Sequence, residues 1–424
     1  MRIGAAGQPV TQSRGAAPVA VSVRRIALIA AVLTWLGPFT IDTYSPSLPA
    51  IVVAFDAKPS LVQLTLTSAL VGLVIGQLVI GLVSDRVGRR MPILVSLCLF
   101  LLACVACVLA PSIPVLIAAR FVQGLTASAG VSMARAIGRD VFDGGELAAF
   151  YSRLAAATAV APVVGPVLAG VLLEVTGTWR SIFVMIAALG VVAFVLVRFA
   201  LPETHSPAVR STHRQDPTTL PTVRVLRQRT IVVSAVLMAC VSGMILSYLA
   251  GTSFLLQNRF GLSPAAYSAI FAVNAVGLVV FSRANARFVL RWHPAAIATV
   301  GISIMLAMGA SLAVAFLLGA PVWVLLPMFF VLLSAYGIVN PNVIAMGMGV
   351  DRSQAGAAAA TLGVAQYSLG ALTAPLIGFA VAGPLPTMVY AICGYGIVAL
   401  TVALVEGPRL RRVVSWQPGP VLRR

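Results

Sequence analysis

The chain has 424 residues, of which 60% are hydrophobic and only 9% are charged. Soluble proteins are typically about 45–50% apolar and about 25% charged, so this composition excludes an ordinary soluble protein and predicts many membrane crossings. The net charge of +18 would suggest a nucleic-acid partner in a soluble chain, but we interpret it as a signal of membrane orientation and expect no nucleic-acid binding.

Apolar segments long enough to cross a bilayer as helices follow one another along the chain. The first six span Ile26–Tyr44, Leu61–Ser84, Pro92–Ala110, Pro114–Arg135, Leu154–Leu173 and Ser181–Val197. After a polar stretch, six more span Ile231–Gln257, Pro264–Ser282, Ala295–Leu318, Val322–Met346, Ala355–Val381 and Leu385–Val405. We therefore predict an all-α integral membrane protein with twelve transmembrane helices in two six-helix halves.

The polar stretch between the halves, from Pro202 to Arg229, contains four prolines and two histidines and cannot be buried in lipid. It predicts a linker and sets the domain boundaries. These are an N-terminal tail (1–23), an N-terminal half (24–201), the linker (202–230), a C-terminal half (231–406) and a C-terminal tail (407–424).

The orientation in the membrane follows from Lys and Arg, which accumulate in short cytoplasmic loops. With cytoplasmic termini, all but four of the 29 basic residues fall on the cytoplasmic side. Lys58, Arg180 and Arg259 lie outside, and Arg120 lies within a span. We expect a multi-pass protein of the bacterial inner membrane with both termini, the linker and most arginines in the cytoplasm, close to anionic lipid headgroups.

The duplicated six-helix pattern is typical of transporters whose substrate site lies near the midplane between the halves. The five cysteines all lie in apolar segments, and the three histidines have no acidic partners at ligand spacing. We therefore expect no disulfide framework, no metal, no cofactor and no catalytic residues, so the chain should not be an enzyme. Composition alone leaves a channel or a multispan membrane enzyme open.

The loop after the second span carries Gly81, Asp85, Arg86, Gly88 and Arg89. Glycines allow tight turns, an acid can meet a helix N-terminus, and arginines can face lipid phosphate. By composition this could be an ordinary basic cytoplasmic loop. The order of its residues, from Gly81 to Pro92, closely resembles the signature loop of the major facilitator superfamily, GxLaDrxGrkxxl. The resemblance implies that these five residues latch the two halves together on the cytoplasmic side.

Three further segments resemble one branch of that superfamily. The sequence from Arg120 to Gly124 resembles the RxxQG motif of drug/proton antiporters, and Gly165-Pro166 with Gly170 resembles their antiporter helix, GPxxGG. Asp42 to Pro49 resembles the DxYxPxxP segment of Bcr/CflA-type multidrug efflux proteins. Ala169 departs from the antiporter pattern but is small enough to keep close helix contact.

Asp42 and Arg120 are the charged side chains that we place well inside spans. Such residues are costly in lipid and usually mark ion or proton pathways. We interpret Asp42 as the proton carrier, with Arg120 stabilising the charged acid or relaying its change of charge through Gln123. The alternatives are an acid at the wet outer interface and an arginine that is a fixed structural hub.

Uncharged polar and aromatic residues within the spans are the candidates for the substrate cavity. The candidates are Tyr44, Tyr248, Asn274, Tyr336, Asn340, Asn342 and Gln366, together with Gln63 and Tyr367. Taken singly, most could instead be interhelical hydrogen-bonding groups. Together they indicate an apolar cavity with a few neutral polar groups, which suits drug-like molecules.

The resemblance implies a monomeric, proton-coupled antiporter that exports antibiotics of the chloramphenicol or bicyclomycin type. Two alternatives remain at this point. A metabolite or sugar transporter of the same fold would share the loop motif, although the antiporter helix favours export. A membrane enzyme would need a polar catalytic cluster at the membrane surface, which the sequence does not contain.

Overall fold

In a computed structural model, residues 23–142, 144–204, 228–348, 355–379 and 386–413 are described. These ranges contain helices and connecting turns and no β-strand. The helices of the N-terminal half are α1 (Val23–Asp42), α2 (Leu48–Ala54), α3 (Pro59–Val87), α4 (Arg90–Leu109), α5 (Ile113–Val141), α6 (Gly144–Thr158), α7 (Ala161–Thr176) and α8 (Arg180–Ala200). Those of the C-terminal half are α9 (Arg229–Phe254), α10 (Pro264–Phe288), α11 (Pro294–Leu317), α12 (Val322–Met348), α13 (Ala355–Phe379) and α14 (Thr387–Val413).

Eleven helical segments of the described chain are long and apolar enough to cross a membrane. The remaining predicted span, 355–381, coincides with α13, which packs against α9 within its half and against α3 across the halves. The prediction of an all-α, multi-pass membrane protein is confirmed. Valines and leucines cover the outside of the bundle, where lipid replaces water as the solvent.

Several helices begin where the sequence supplies a local start signal. Proline occupies the first helical position of α3, α10 and α11, where its missing N–H costs no hydrogen bond. The Ser263 hydroxyl accepts a hydrogen bond from the Ala266 N–H at the start of α10, and the His293 Nδ1 accepts one from Ala295 N–H at the start of α11. These caps explain why the two helices begin where they do.

Backbone contact between helices depends on small residues. A Cβ atom added to Gly72 of α3 would collide with the Phe121 carbonyl of α5, and one added to Gly124 of α5 would collide with the Ala69 carbonyl of α3. The pair α3–α5 is therefore packed backbone to backbone, as small-residue motifs allow in membranes.

The fifth predicted span, Leu154–Leu173, is interrupted. Helix α6 ends at Thr158 and α7 begins at Ala161, with a turn at Ala159 and Val160 between them. Pro162 has no N–H to continue the hydrogen-bond ladder of α6, whereas Pro166 lies inside α7. One membrane-spanning segment is therefore built from two helices, α6 and α7.

The signature segment is also more helical than expected. Helix α3 continues to Val87, so Gly81 lies within the helix and makes no turn there, and Asp85 and Arg86 form its last turn. The helix ends at Gly88, whose φ of 108° is open to glycine and disfavoured for other residues. Only Gly88 and Arg89 separate α3 from α4.

Candidate functional site

The last residue of α1, Asp42, lies in a cavity of about 210 Å³ between the two halves. The N-terminal half contributes residues of α1, α3 and α7, and the C-terminal half contributes residues of α9, α10, α12 and α13. Among the residues that line the cavity, Asp42 is the one with a charged side chain. A single carboxyl group is thus placed where both halves meet.

The remaining wall of the cavity is apolar and aromatic. Its polar groups come from the C-terminal half and face Asp42 from the opposite side: Tyr248, Tyr336, Gln366 and Tyr367. Phe271 adds an aromatic ring, stacked at 6.2 Å between ring centres on Tyr248. An apolar pocket with a few polar groups is the usual form of a small-molecule site.

The Asp42 carboxylate makes no hydrogen bond and no ion pair with any residue in the described ranges. Its side chain is partly exposed because it faces the cavity. A charged group in an apolar cavity is costly unless it finds a partner. Because the Asp42 carboxyl group faces the cavity, protons and polar ligands that enter the cavity can reach it directly.

Arg120 of α5 is fully buried and contacts the segment around Asp42 without reaching its carboxylate. Its Nη1 donates to the Thr40 carbonyl oxygen at 3.1 Å and to Gln123 Oε1 at 2.7 Å. The guanidinium carbon lies 4.2 Å from the centre of the Tyr44 ring. Arg120 thus holds α1 two residues before Asp42 and the following turn two residues after it.

Arg120 also retains unused hydrogen-bonding capacity. Its Nε and Nη2 are buried without a partner in the described part of the chain. Gln123, in turn, donates from Nε2 to the Cys104 sulfur at 3.1 Å. The three residues connect α1, α5 and α4, so a shift of Arg120 would be transmitted to α4.

Cys104 and Cys107 stand at C-x-x-C spacing on α4. Both are buried as free thiols close to Arg120, and no disulfide joins them. The described residues contain no group of three or more potential metal ligands. The apolar surroundings make this pair part of the helix packing.

Of the nine residues predicted for the substrate cavity, Tyr248, Tyr336, Gln366 and Tyr367 line it, and the other five, including Gln63 of the contact between the halves, do not. Tyr44 lies beneath Arg120 and shares a 2.6 Å hydrogen bond with Thr65. Asn274 donates to the Tyr248 hydroxyl at 2.8 Å and so orients a cavity residue.

The two remaining asparagines belong to α12 and lie away from the cavity. Asn342 donates to Asn285 Oδ1 at 2.8 Å and ties α12 to α10. Asn340 is partly buried. Phe271 and Pro162 line the cavity but were missed, because an aromatic ring or a proline in an apolar span gives no polar signal.

Hydrogen bonds join the two halves at the end of the molecule opposite the start of α1 and the end of α14. Ser45 is central to this contact. Its hydroxyl shares a 2.7 Å hydrogen bond with the Tyr267 hydroxyl, and its carbonyl accepts from Ser253 at 2.6 Å. Gln63 donates to the Ala250 carbonyl at 2.7 Å. We call this set of hydrogen bonds the far-end gate.

Helix α7, which carries the segment that resembles the antiporter pattern, adds close packing to the far-end gate. A Cβ atom on Gly170 would lie 2.7 Å from the Ser268 Cβ of α10, so glycine is needed for the two halves to approach there. Within the N-terminal half, Gly165 packs closely against Phe39 of α1 and Thr43 just after it, and Pro166 is buried beside Gly165. Asp42 therefore lies next to the gate, on the side facing the termini.

The predicted latch residues are only partly described. The side chains of Asp85 and Arg86 and the surroundings of Gly81 lie outside the described part of the chain. Arg89 is buried and donates from Nε to Asp140 Oδ2 at 2.8 Å, and the Glu203 carboxylate accepts from the Arg89 and Arg90 backbone N–H groups. These contacts join α3, α4, α5 and the end of α8 within the N-terminal half.

Comparison with known proteins agrees with this architecture. Residues 30–375 match the family profile described as Major Facilitator Superfamily. The chain is 36% identical over 355 residues to "Uncharacterized MFS-type transporter YdgK" of Bacillus subtilis, covering 83% of this chain and 88% of that one. It is 27% identical over 351 residues to "Bicyclomycin resistance protein homolog" of Haemophilus influenzae, covering 82% and 87%.

A third relative, "Multidrug resistance protein MdtL" of Escherichia coli O9:H4, is 30% identical over 345 residues, covering 79% of this chain and 83% of that one. Among solved structures, "Crystal structure of D-xylose-proton symporter" superposes with a TM-score of 0.71 at 16% identity, covering 93% of this chain and 98% of that one. At that identity the likeness extends to the fold alone.

Proposed function

The chain belongs to the major facilitator superfamily, and from that premise we propose that it exports drug-like small molecules across the bacterial inner membrane in exchange for protons. The observation that carries the proposal is the position of Asp42, a lone carboxyl group in the cavity between the halves and beside the far-end gate. In this proposal the termini lie in the cytoplasm, as the distribution of Lys and Arg predicts, so the far-end gate faces outward and the cavity lies on its cytoplasmic side.

Proton coupling follows from competition for one cavity. A protonated Asp42 is neutral and leaves the cavity apolar, whereas an ionised Asp42 requires a partner there. A bound substrate with a polar or cationic group supplies that partner, so proton and substrate occupy the cavity in turn. Exchange results if the protein changes least readily between its inward-open and outward-open states when the cavity is empty and Asp42 is ionised.

Arg120 transmits the state of Asp42 to the helices. It binds the backbone of α1 at Thr40 and stacks on Tyr44, on either side of the acid. Movement of this segment on protonation would change the Arg120–Gln123–Cys104 connection and the Ser45 contacts that close the gate. Arg120 and Gln123 are thus positioning residues, and Asp42 is the proton carrier.

The chemistry of the substrate follows from the cavity wall. Three tyrosines, Phe271 and Gln366 offer stacking surfaces and neutral hydrogen-bonding groups, with few fixed charges to select one molecule. Such a site accepts planar or aromatic amphiphiles by shape and stacking. Relatives named for bicyclomycin and multidrug resistance support antibiotics as substrates.

A susceptibility test in an efflux-deficient bacterial host examines this proposal. Wild type, Asp42→Asn and empty vector are compared on a panel that includes chloramphenicol, bicyclomycin and cationic dyes, at matched levels of membrane expression. We expect the wild type to raise the inhibitory concentration of at least one compound and Asp42→Asn to abolish the increase. No increase for any compound on a broad panel would exclude drug export and favour a dedicated metabolite transporter.

A further inference from the structure

A second, separate groove lies on the lipid-facing surface of the C-terminal half. It is formed by α10 and α12, has a volume of about 310 Å³, and is lined by apolar residues and one glycine. The lining residues are Ala272, Val273, Val276, Gly277, Val280, Phe281 and Phe330. It lies on the outside of the bundle, away from the cavity that holds Asp42.

The floor of the groove exists because α10 and α12 cross closely at two glycines. A Cβ atom on Gly277 would lie 2.6 Å from the Phe330 ring, and one on Gly337 would collide with the Leu278 carbonyl. The valines of α10 stand beside this crossing, and Val273, Val276 and Val280 are 59%, 46% and 52% exposed. The walls are thus open toward lipid.

Two arginines continue the same face of α10 toward the chain termini. Arg283 follows Val276 by seven residues and Arg287 follows Val280 by seven, a spacing that keeps each pair within about 20° on a helix. Both arginine side chains are exposed, and neither forms an ion pair within the described ranges. One stripe along α10 therefore runs from the apolar Val273, Val276 and Val280 to the basic Arg283 and Arg287.

The dimensions of this stripe fit half of a bilayer. From Val273 to Arg283 the helix rises about 15 Å at 1.5 Å per residue, which equals half of a hydrocarbon core about 30 Å thick. Trp292, which is 54% exposed, follows α10, and its ring lies tilted against that of Phe288 at 5.9 Å between centres. Tryptophan at this position marks the interface between hydrocarbon and headgroups.

Of the helices that pack against α10, α12 has no acid, and the one acid of α7, Glu174, accepts from the Ala265 N–H at the opposite end of α10 from the arginines. The sequences of α10, α11 and α12 contain no aspartate and no glutamate. The segment 289–293 between α10 and α11 adds Arg291 and no acid. A ligand that fits this surface must therefore combine an apolar chain with a negatively charged head.

We propose that the groove between α10 and α12 is a binding site for an anionic phospholipid of the cytoplasmic leaflet. One acyl chain lies in the groove over Gly277, between Val276, Val280 and Phe330, and the headgroup phosphate binds Arg283 and Arg287. The site joins two helices of the C-terminal half and is independent of the transport cavity. Its test therefore does not depend on the proposed drug export.

The test measures lipid binding to the purified full-length protein in a mild detergent by native mass spectrometry. Dioleoyl-phosphatidylglycerol is the anionic probe, and dioleoyl-phosphatidylcholine, with the same acyl chains and no net charge, is the neutral probe. Arg283→Gln/Arg287→Gln removes the basic end of the stripe. Arg139→Gln/Arg153→Gln removes two exposed arginines from the N-terminal half at the same end of the molecule and is the matched control.

We expect wild type to bind the first phosphatidylglycerol more tightly than phosphatidylcholine, and Arg283→Gln/Arg287→Gln to weaken that binding about 30-fold, from roughly fivefold per arginine. The Arg139→Gln/Arg153→Gln control and the charge-preserving Arg283→Lys/Arg287→Lys variant should retain the preference. Val276→Trp, which fills the groove without changing charge, should weaken binding of both lipids.

Two outcomes would overturn the proposal. Equal loss in the two glutamine double variants would mean that total charge, and not this stripe, attracts the lipid. Unchanged phosphatidylglycerol binding in Val276→Trp would mean that the arginines act without the groove. Thermal unfolding in the same detergent checks that each variant is folded before lipid is added.

Discussion

The Arg120 guanidinium donates a hydrogen bond to the Thr40 carbonyl oxygen at 3.1 Å, and so holds the backbone of α1 two residues before Asp42. The contact couples the buried cation to the helix that carries the acid, while the carboxyl group itself stays free to face the cavity. A direct ion pair between Arg120 and Asp42 would leave neither charge available to a ligand in the cavity. The observed arrangement leaves Asp42 accessible to a proton or a substrate.

Arg120→Lys tests whether geometry or charge matters at this position. Lysine keeps the positive charge but cannot bridge Thr40 and Gln123 while stacking on Tyr44. The lost hydrogen bonds to a charged group are worth about 1.5–3 kcal/mol, so we expect drug efflux to fall by at least about tenfold. Arg259→Lys, at an exposed position of the far end, is the control and should transport normally.

Full activity of Arg120→Lys would show that Arg120 contributes charge alone. Efflux is measured as the rate of dye or drug loss from preloaded cells, normalised to the amount of protein in the membrane. Equal losses in both arginine variants would point to a general effect on membrane insertion.

Gly170→Val should open the far-end gate. The added side chain collides with Ser268 of α10, so α7 can no longer approach the C-terminal half as closely. Spin labels at Val175 and Trp323, two exposed far-end positions in opposite halves, report the separation by pulsed electron paramagnetic resonance in a cysteine-free background. We expect a longer-distance population. Gly394→Ala, where a Cβ atom meets nothing within 4 Å, should leave the distances unchanged.

Tyr267→Phe should weaken the same gate without adding bulk. The change removes the 2.7 Å hydrogen bond to Ser45 and keeps the ring that packs against Phe271. A net hydrogen bond is worth about 0.5–1.5 kcal/mol, so the open fraction should rise about two- to tenfold. The same pair of spin labels measures it, and an unchanged distance distribution would show that Ser45 and Tyr267 do not hold the gate closed.

The Tyr248–Asn274 pair predicts a non-additive effect on stability. Tyr248→Phe leaves the buried Asn274 amide without its 2.8 Å partner, which should lower stability by about 1–3 kcal/mol. Adding Asn274→Leu removes the unpaired polar group, so the double variant should recover part of the loss. Thermal unfolding in detergent compares wild type, Tyr248→Phe, Asn274→Leu and the double variant, and strictly additive losses would contradict the proposed pairing.

The sequence predicted the fold because its signals are local. Apolar length gave the spans, and prolines such as Pro59, Pro264 and Pro294 mark helix starts. It also singled out Asp42 and Arg120, because charges are rare in membrane-spanning segments. The interruption at Ala159 and the helical state of Gly81 were missed, because proline and glycine are each found both within helices and at their ends.

The composition of the cavity could be predicted only in part. Tyr248 and Asn274 look alike in sequence as polar residues within spans, but one lines the cavity and the other supports it from behind. The difference depends on the rotation of α9 and α10 about their axes. Rotation is set by packing across the bundle, as at Gly170 and Ser268, which a single sequence does not display.

The most direct test of proton coupling through Asp42 is pH-gradient-driven accumulation in inside-out membrane vesicles. The substrate is the panel compound whose inhibitory concentration rises most in cells that express the wild type. Asp56→Asn is the matched control, because Asp56 is an exposed acid with a positive φ of 45° that asparagine also adopts readily. We expect wild type and Asp56→Asn to accumulate the compound, and Asp42→Asn to lose accumulation while retaining gradient-independent exchange. Full gradient-driven accumulation by Asp42→Asn would contradict the account.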